Sequence, residues 1–419
     1  MIFPSSAPCP RNGAGAEFYV PYPSYSVLTE ITTPREKILS GREFQEVKGV
    51  RILILSVTAG EGHNTCAAAL REALERRGHE VTVADLYRCC GVPSRLTDRI
   101  YRTCAKDFRQ KYSRTYTRLE RDERFRRRWE KRFLPGWLYL RMKAWMQGRE
   151  YDCAVCMHVF AARVLTGLRQ QGFIRMPILG VNTDYCLHPY WEDCPGLDGL
   201  VIPTEEMREE VLHRNIPQDI ILPLGIPIRS PGRCQTSREE ARAKLGLPGG
   251  KLVLLMGGSM GYGHIFSTAL ALRKQEITTV CVCGRNRVLR ERLLPFRNDR
   301  LRVLGYTRLL PEYMAAADLA VTKPGGLSLT ELAAARVPAV LTSPIPGHEE
   351  RNLRLWTRLG AAAEGGGDGE STALLVTELL ADEGRLRKMR SALEALSPQD
   401  AAENLCRFVE TLDKTSAYD

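Results

Sequence analysis

A chain of 419 residues, 44% of them hydrophobic, is long enough to bury two cores, which excludes a single small module. Its formal net charge of +11 invites nucleic acid, an anionic membrane or an anionic substrate as partner. No apolar run approaches the roughly 20 residues that span a bilayer, and no basic-then-apolar leader opens the chain, so a cytosolic protein is expected.

Residues 1–49 mix Pro, Gly, Ser and Tyr without sustained periodicity and are expected to be an extension outside the cores. Residues 51–57, RILILSV, form an unbroken apolar run suited to a strand buried on both faces of a parallel sheet. Thr58-Ala-Gly-Glu-Gly-His-Asn64 ends it, and the spacing of Ala67, Ala68, Leu70, Ala73 and Leu74 predicts a helix over 65–77. Gly78 stops the helix and 81–84 starts a second strand. This is a βαβ unit with a glycine loop at the carboxyl edge of its first strand, where ligands bind in such sheets. His63 sits in that loop, and an imidazole with a pKa near 6.5 is largely neutral at cytosolic pH, so it can accept a proton.

Residues 101–148 alternate basic residues with Tyr112, Tyr116, Phe125, Trp129, Phe133, Trp137, Tyr139 and Trp145. Between Arg102 and Arg149 stand 16 Lys and Arg against 5 Asp and Glu, a difference equal to the whole chain's excess. The stretch 133–140 is its apolar centre. Basic residues such as Arg126, Arg127 and Arg128 would attract an anionic leaflet while Phe133, Leu134, Trp137 and Leu138 enter the headgroup boundary, so this segment is expected to lie on a membrane. A charged helical hairpin with aromatic core residues is the other reading. Nothing here carries a nucleic-acid fold signature.

Cys153 and Cys156 lie in a predicted strand, as do Cys281 and Cys283, so the 13 Cys read as buried thiols rather than disulfides. The CxxC pair lacks a second pair at matching distance, and no metal site is expected. Strands at 152–157 and 177–181 flank a helix at 161–171, and the second strand runs into the polar loop 182–191. Residues 223–231, rich in Pro, read as an interdomain linker. A new βαβ series begins at Lys251, where 252–256 enters the glycine loop Gly257-Gly258-Ser259-Met260-Gly261, whose amides and serine can donate to phosphate oxygens.

The last motif is the fullest. After a strand ending at Val321, Lys323-Pro324-Gly325-Gly326 opens a helix whose free N–H groups and positive dipole end suit a diphosphate. Glu331 falls about one turn in, where a carboxylate can accept from both ribose hydroxyls. A short strand at 339–341 and the loop through Pro344, Pro346 and Gly347 lead to His348-Glu349-Glu350-Arg351-Asn352, a second helix start with polar side chains for a sugar.

The pattern Lys-Pro-Gly-Gly-x-Ser-x-Thr-Glu followed by Pro-x-Pro-Gly-x-Glu-x-x-Asn resembles the nucleotide-sugar site of glycosyltransferase family 28, above all its diacylglycerol glycosyltransferases and monogalactosyldiacylglycerol synthases. The 257–261 loop and Thr183-Asp184 with His188 and Trp191 are similar to further elements of that family, and the resemblance spans roughly 350 residues. It implies an α/β protein of the GT-B type, two doubly wound Rossmann-like domains facing a cleft. The expected boundaries are an acceptor and membrane domain at 50–225, a nucleotide-sugar domain at 226–385, and helices at 386–419 that pack back on the first domain.

The resemblance further implies UDP-glucose or UDP-galactose as donor, diacylglycerol as acceptor, and a protein peripherally attached to the inner face of the cell membrane. His63 would be the base, with Asp184 as its replacement. Asp184, His188 and Trp191 would line the acceptor side, and Gly60, Gly62 and Asn64 of the first glycine loop would bind substrate. Gly257, Gly258, Ser259, Gly261, Gly325, Gly326, Leu327, Ser328, Glu331, His348, Glu349 and Asn352 would hold the donor. Glu61 replaces a family glycine and its role stays open. His348 stands where the family commonly has Gln, which leaves the hexose open. No Asp-x-Asp pair occurs, so no divalent-metal diphosphate site and no cofactor are expected. Two alternatives stand beside this reading, an N-acetylglucosaminyltransferase acting on lipid intermediates of peptidoglycan and a UDP-sugar sensor without turnover.

Overall fold

The computed structural model describes residues 49–58, 61–93, 96–97, 99, 109–229, 237–257, 264–275, 277–396 and 400–412. The expected extension 1–49, all but its last residue, therefore lies outside the described residues, as do Gly60, Gly258, Ser259 and Gly261.

The apolar runs become two six-stranded, wholly parallel sheets. The first has the order β2-β1-β3-β4-β5-β6, built from Arg51–Ser56 (β1), Glu80–Asp85 (β2), Cys153–Cys156 (β3), Ile178–Val181 (β4), Gly199–Val201 (β5) and Ile221–Leu222 (β6). The second has the order β12-β11-β10-β7-β8-β9, from Leu252–Met256 (β7), Thr278–Val282 (β8), Leu301–Leu304 (β9), Leu319–Thr322 (β10), Ala339–Leu341 (β11) and Ala362–Glu364 (β12). Strands β3, β4, β7 and β10 are buried at every position, which is why they read as continuous rather than alternating hydrophobic runs. The thiols of Cys153, Cys156, Cys281 and Cys283 are free and buried in these sheets.

Strand order fixes where ligands can enter. In the first sheet the chain moves from β1 outward to β2, then returns to the other side of β1 for β3, with Ile52 paired to both Val81 and Cys153. In the second it moves from β7 through β8 to β9, then returns to the other side of β7 for β10. A crevice opens at the carboxyl ends of the two strands that flank each such reversal. One crevice is bordered by the loop before Gly62–Arg76 (α1) and by the segment after β3, and the other by the segments after β7 and β10.

The basic segment folds as three helices, Arg109–Arg121 (α2), Glu123–Phe133 (α3) and Gly136–Met146 (α4), joined to the first sheet through Val159–Gln170 (α5). Asp122 caps α3 by accepting from Phe125 N, and Pro135 begins the turn into α4. Their interior positions are filled by Leu119, Leu134, Leu138, Met142 and Met146, all in the same core as the first sheet. At the other end of the chain, Glu383–Leu396 (α8) packs on Gly326–Ala334 (α6), while Ala401–Thr411 (α9) lies along α1. Glu410 of α9 receives both arms of the Arg77 guanidinium, at 2.6 and 2.7 Å, and lies 3.0 Å from His79 Nε2. Between α6 and α8, His348–Arg358 (α7) follows β11.

Candidate functional site

His63 is the second residue of α1, and its ring is pinned from below. Its Nδ1 lies 2.8 Å from the carbonyl oxygen of Met157, the residue after β3. A carbonyl only accepts, so Nδ1 carries the proton and Nε2 keeps its lone pair. The Thr183 hydroxyl lies 3.0 Å from the same Nδ1, on the segment after β4. Burial lowers the His63 pKa below its ordinary value, the Asp184 carboxylate and the Met157 carbonyl oppose that shift, and His348 adds to it. The net direction keeps the ring neutral near pH 7, as a proton acceptor must be.

Two further histidines surround it. His158 meets His63 edge to face with ring centroids 4.7 Å apart, and it caps α5 by accepting from Phe160 N at 3.0 Å. His188 accepts from Tyr190 N and stacks on the Tyr190 ring. Burial, with His348 and His63 nearby, pushes its pKa down to about 3. His158 was not among the residues singled out from sequence. Its signal was present in retrospect, since it follows β3 at the same switch point that places His63 after β1.

Facing these rings is the start of α6. A Cβ on Gly62 would come within 4.0 Å of the Leu327 Cβ, so the N-terminal turns of α1 and α6 approach one another. The Thr183-Asp184 loop reaches across the same gap. A Cβ at Gly326 would fall onto the Thr183 carbonyl oxygen and stand 3.0 Å from the Asp184 Cα. The absent side chain at 326 is therefore used by the facing loop of the protein. Asn352 Nδ2 donates to Asp184 Oδ1 at 3.0 Å and to the Pro324 carbonyl at 2.9 Å.

Glu331 faces the first half from α6. It is half-buried, and burial raises its carboxyl to about 7. Its charge and that of Asp184, after burial itself, push the Cys66 thiol of α1 upward, which places both carboxylates beside that helix. Leu327 and Ser328 share its half-buried face, and Gly325, at the α6 N-cap, is half-buried. Gly257 is buried at the end of β7.

Several expected ligand residues have other duties. Glu349 is buried, its Oε1 is paired with Lys323, and its Oε2 accepts from Ile345 N at 2.7 Å, so it holds the 344–347 loop rather than offering itself to a sugar. Asn352 is fully buried, and its amide spans the two halves while its Oδ1 has no protein partner. Asn64, expected to bind substrate, accepts from Ser56 and donates to Thr58, which ties α1 to the end of β1. Trp191 is buried with its ring over Gly180, where a Cβ would lie 2.5 Å from Cζ3, so it is a core residue and not a cleft wall. His348 is half-buried at the start of α7, tilted against the Tyr116 ring of α2, and the same tyrosine covers Gly347, whose φ of +94° accepts no side chain readily. Glu61, the residue in the family's glycine position, pairs with Arg285 beyond β8.

The membrane expectation divides as sharply. Arg126 is buried, donating to Asp193 at 2.6 Å, to Glu192 at 3.0 Å and to the Leu119 carbonyl at 3.0 Å. Leu134 and Leu138 are buried too, and Phe133 is half-buried, stacked between Trp129 and Phe160. These four serve the core, because the helices need an apolar inner face before they can present an outer one. Trp137 at 47% and Leu140 at 69% exposure, with exposed Arg127, Arg128, Lys131 and Arg132, are what the segment presents outward. Among the described residues no helix is long and apolar enough to cross a membrane, and no cluster of three or more metal-ligating side chains occurs.

Two parallel-sheet halves with their switch points and helix N-termini meeting near His63 define the GT-B fold. Acinetobacter baumannii MurG shares this fold at 16% identity with a TM-score of 0.56, over 86% of this chain and 99% of that one. A UDP-glucosyltransferase from Polygonum tinctorium gives the same TM-score at 14% identity, over 86% and 98%. The family model for monogalactosyldiacylglycerol (MGDG) synthase matches residues 63–228, and that for the glycosyltransferase family 28 C-terminal domain matches residues 252–362. A processive diacylglycerol beta-glucosyltransferase of Bacillus cereus (strain AH187) is 27% identical over 370 residues, 86% of this chain and 93% of the relative. Its counterpart from strain B4264 is 28% identical over 361 residues, 84% and 90%. The chain carries an N-terminal domain of the MGDG synthase type and a glycosyltransferase family 28 C-terminal domain. It is a UDP-sugar glycosyltransferase, and its family places it in glycolipid synthesis.

Proposed function

We propose that the enzyme moves a hexose from UDP-glucose or UDP-galactose to the free hydroxyl of diacylglycerol at an anionic membrane surface, with inversion at the anomeric carbon. The observation that carries this reading is the tautomer of His63, whose Nε2 keeps its lone pair on a ring at the start of α1, where α1 and α6 approach one another. In the reaction the acceptor hydroxyl gives its proton to Nε2 as its oxygen bonds to the anomeric carbon. The bond from that carbon to the diphosphate oxygen breaks, and UDP leaves on the opposite face. The N–H groups and dipole at the start of α6, with the segment after β7, take up the negative charge that develops there. Glu331 takes the ribose hydroxyls. Asp184 sustains the basicity of His63 by its charge and is the second candidate for the base.

Residues 50–225 hold acceptor and membrane in this reading, residues 226–385 hold the donor, and residues 386–419 return toward the first half. UDP-sugar is the donor substrate, and no cofactor takes part. The names of the relatives favour glucose and a β-linkage. The exposed Trp137, Leu140 and neighbouring arginines favour peripheral attachment to the inner leaflet. The Glu61 carboxylate is engaged by Arg285, which favours turnover over a sensor. The test is incubation with radiolabelled UDP-glucose or UDP-galactose and diacylglycerol vesicles, followed by lipid extraction and assignment of the anomer by NMR. Lipid-soluble label in β-linkage is expected. UDP binding without transfer would make the protein a sensor, and, in a parallel incubation with labelled UDP-N-acetylglucosamine and a peptidoglycan lipid intermediate, label entering that lipid alone would make it an N-acetylglucosaminyltransferase.

A further inference from the structure

His63 and His158 stand at the carboxyl ends of neighbouring strands, yet the protein has given them opposite tautomers. The Met157 carbonyl at Nδ1 of His63 leaves Nε2 as an acceptor. The Phe160 N–H at Nδ1 of His158 requires that nitrogen to be unprotonated, so the proton of the neutral ring is on Nε2, a donor. Burial beside His63 and His188 keeps His158 neutral. Among the described residues no hydrogen bond reaches its Nε2. The two rings, 4.7 Å apart, thus offer one acceptor and one donor, and Phe160, stacked on Phe133, packs against His158 as apolar surface beside them.

That pair of groups fits an alcohol whose neighbouring carbon bears an ester. The hydroxyl donates to His63, and the ester carbonyl, which can only accept, receives the N–H of His158. We propose that His158 is an acceptor-binding residue that reads the ester carbonyl beside the attacked hydroxyl, so the enzyme selects ester-linked over ether-linked glycerolipid alcohols. This rests on the lipid-acceptor reading above.

The test compares kcat/KM for a 1,2-diacylglycerol and for its dialkyl ether analogue, which lacks the carbonyl, in the unaltered enzyme and in His158→Ser, where serine keeps a cap on α5. The unaltered enzyme should favour the ester by about tenfold, the scale of one buried donor left unpaired. His158→Ser should treat the two acceptors alike and bind UDP as before. Equal preference in both proteins, or none in the unaltered enzyme, overturns the proposal. Should the Ser variant lose UDP binding, His158→Asp, a strong cap without a donor, is put through the same comparison. Loss of UDP binding in both variants assigns His158 to the fold alone and also overturns it. Failure of the unaltered enzyme to label either lipid ends the lipid-acceptor reading itself.

Discussion

Burial raises the Glu331 carboxyl to about 7, so in the free enzyme it is half protonated near neutrality. Ribose hydroxyls are donors and stabilise only the ionised form, so UDP should lower this pKa and expel a proton on binding. The free-enzyme pKa is the higher one, so affinity is full above pH 7 and declines as pH falls through it, by up to about tenfold per unit. Glu331→Gln keeps the size and one acceptor but cannot ionise. At pH 8 it should weaken UDP by about 1.5–3 kcal/mol, or roughly ten- to a hundredfold, the scale of hydrogen bonds to a charged group. It should also flatten the pH dependence. Calorimetry from pH 6 to 8, in buffers of different ionisation enthalpy, reads both the affinity and the released proton. The UDP terminal phosphate titrates near pH 6 with either protein, so the difference between the two curves isolates Glu331. Equal affinity at pH 8, or equal slopes, would remove Glu331 from the ribose site.

His63→Ala should lower kcat by roughly 10²–10⁴ with UDP affinity unchanged, as expected for a base used only in the transition state. Burial depresses its pKa, so the acid limb of kcat/KM in the unaltered enzyme should lie below pH 6.5, and a limb above that value would place the base elsewhere. Gly326→Ala should cost about 1–3 kcal/mol in denaturant unfolding and reduce turnover, because the new methyl meets the Thr183 carbonyl and not a flexible side chain; wild-type stability would refute that contact. Trp137→Ser with Leu140→Ser should release the protein from anionic vesicles in a sedimentation assay while leaving Tm unchanged, and binding to such vesicles should weaken with salt. Arg126→Ala should do the reverse, lowering stability by about 3–5 kcal/mol because Glu192 and Asp193 lose a buried partner.

The strands were legible because burial on both faces leaves continuous apolar runs, as in β1 and β7, whereas their order in each sheet came only with the structure. His63 and Glu331 were legible for a related reason, since each stands a fixed few residues beyond a strand end. What sequence could not separate was a polar residue facing the cleft from one consumed by the scaffold. Glu349 and Asn352 have the side chains of a sugar site, but Lys323, Ile345 N and Asp184 already engage them. Arg126 looks like its neighbours Arg127 and Arg128, and only the helix phase, which turns it toward Glu192 and Asp193, sets it apart. His158 escaped because one histidine after a strand has no motif of its own. Its meaning comes from β3 lying beside β1.

The dipeptide Thr183-Asp184 joins what the sequence presents as separate motifs. The Thr183 hydroxyl touches the His63 ring, its carbonyl occupies the space above Gly326, and the Asp184 carboxylate holds Asn352 of α7. One short segment after β4 therefore contacts the proposed base, the start of α6 and the start of α7. In the proposed reaction, proton acceptance and donor placement then depend on the same backbone position. A shift of this loop would move His63 relative to α6, and a misplacement on the order of 1 Å can cost a hundredfold in rate. Asn182 guards against that shift by donating to the carbonyls of Asp184 and Cys186 at 2.7 and 3.1 Å, which closes the loop on itself. Asn182→Ala should therefore lower kcat although the side chain touches no substrate, whereas unchanged kcat in a folded variant would show that the loop holds its place without that clamp.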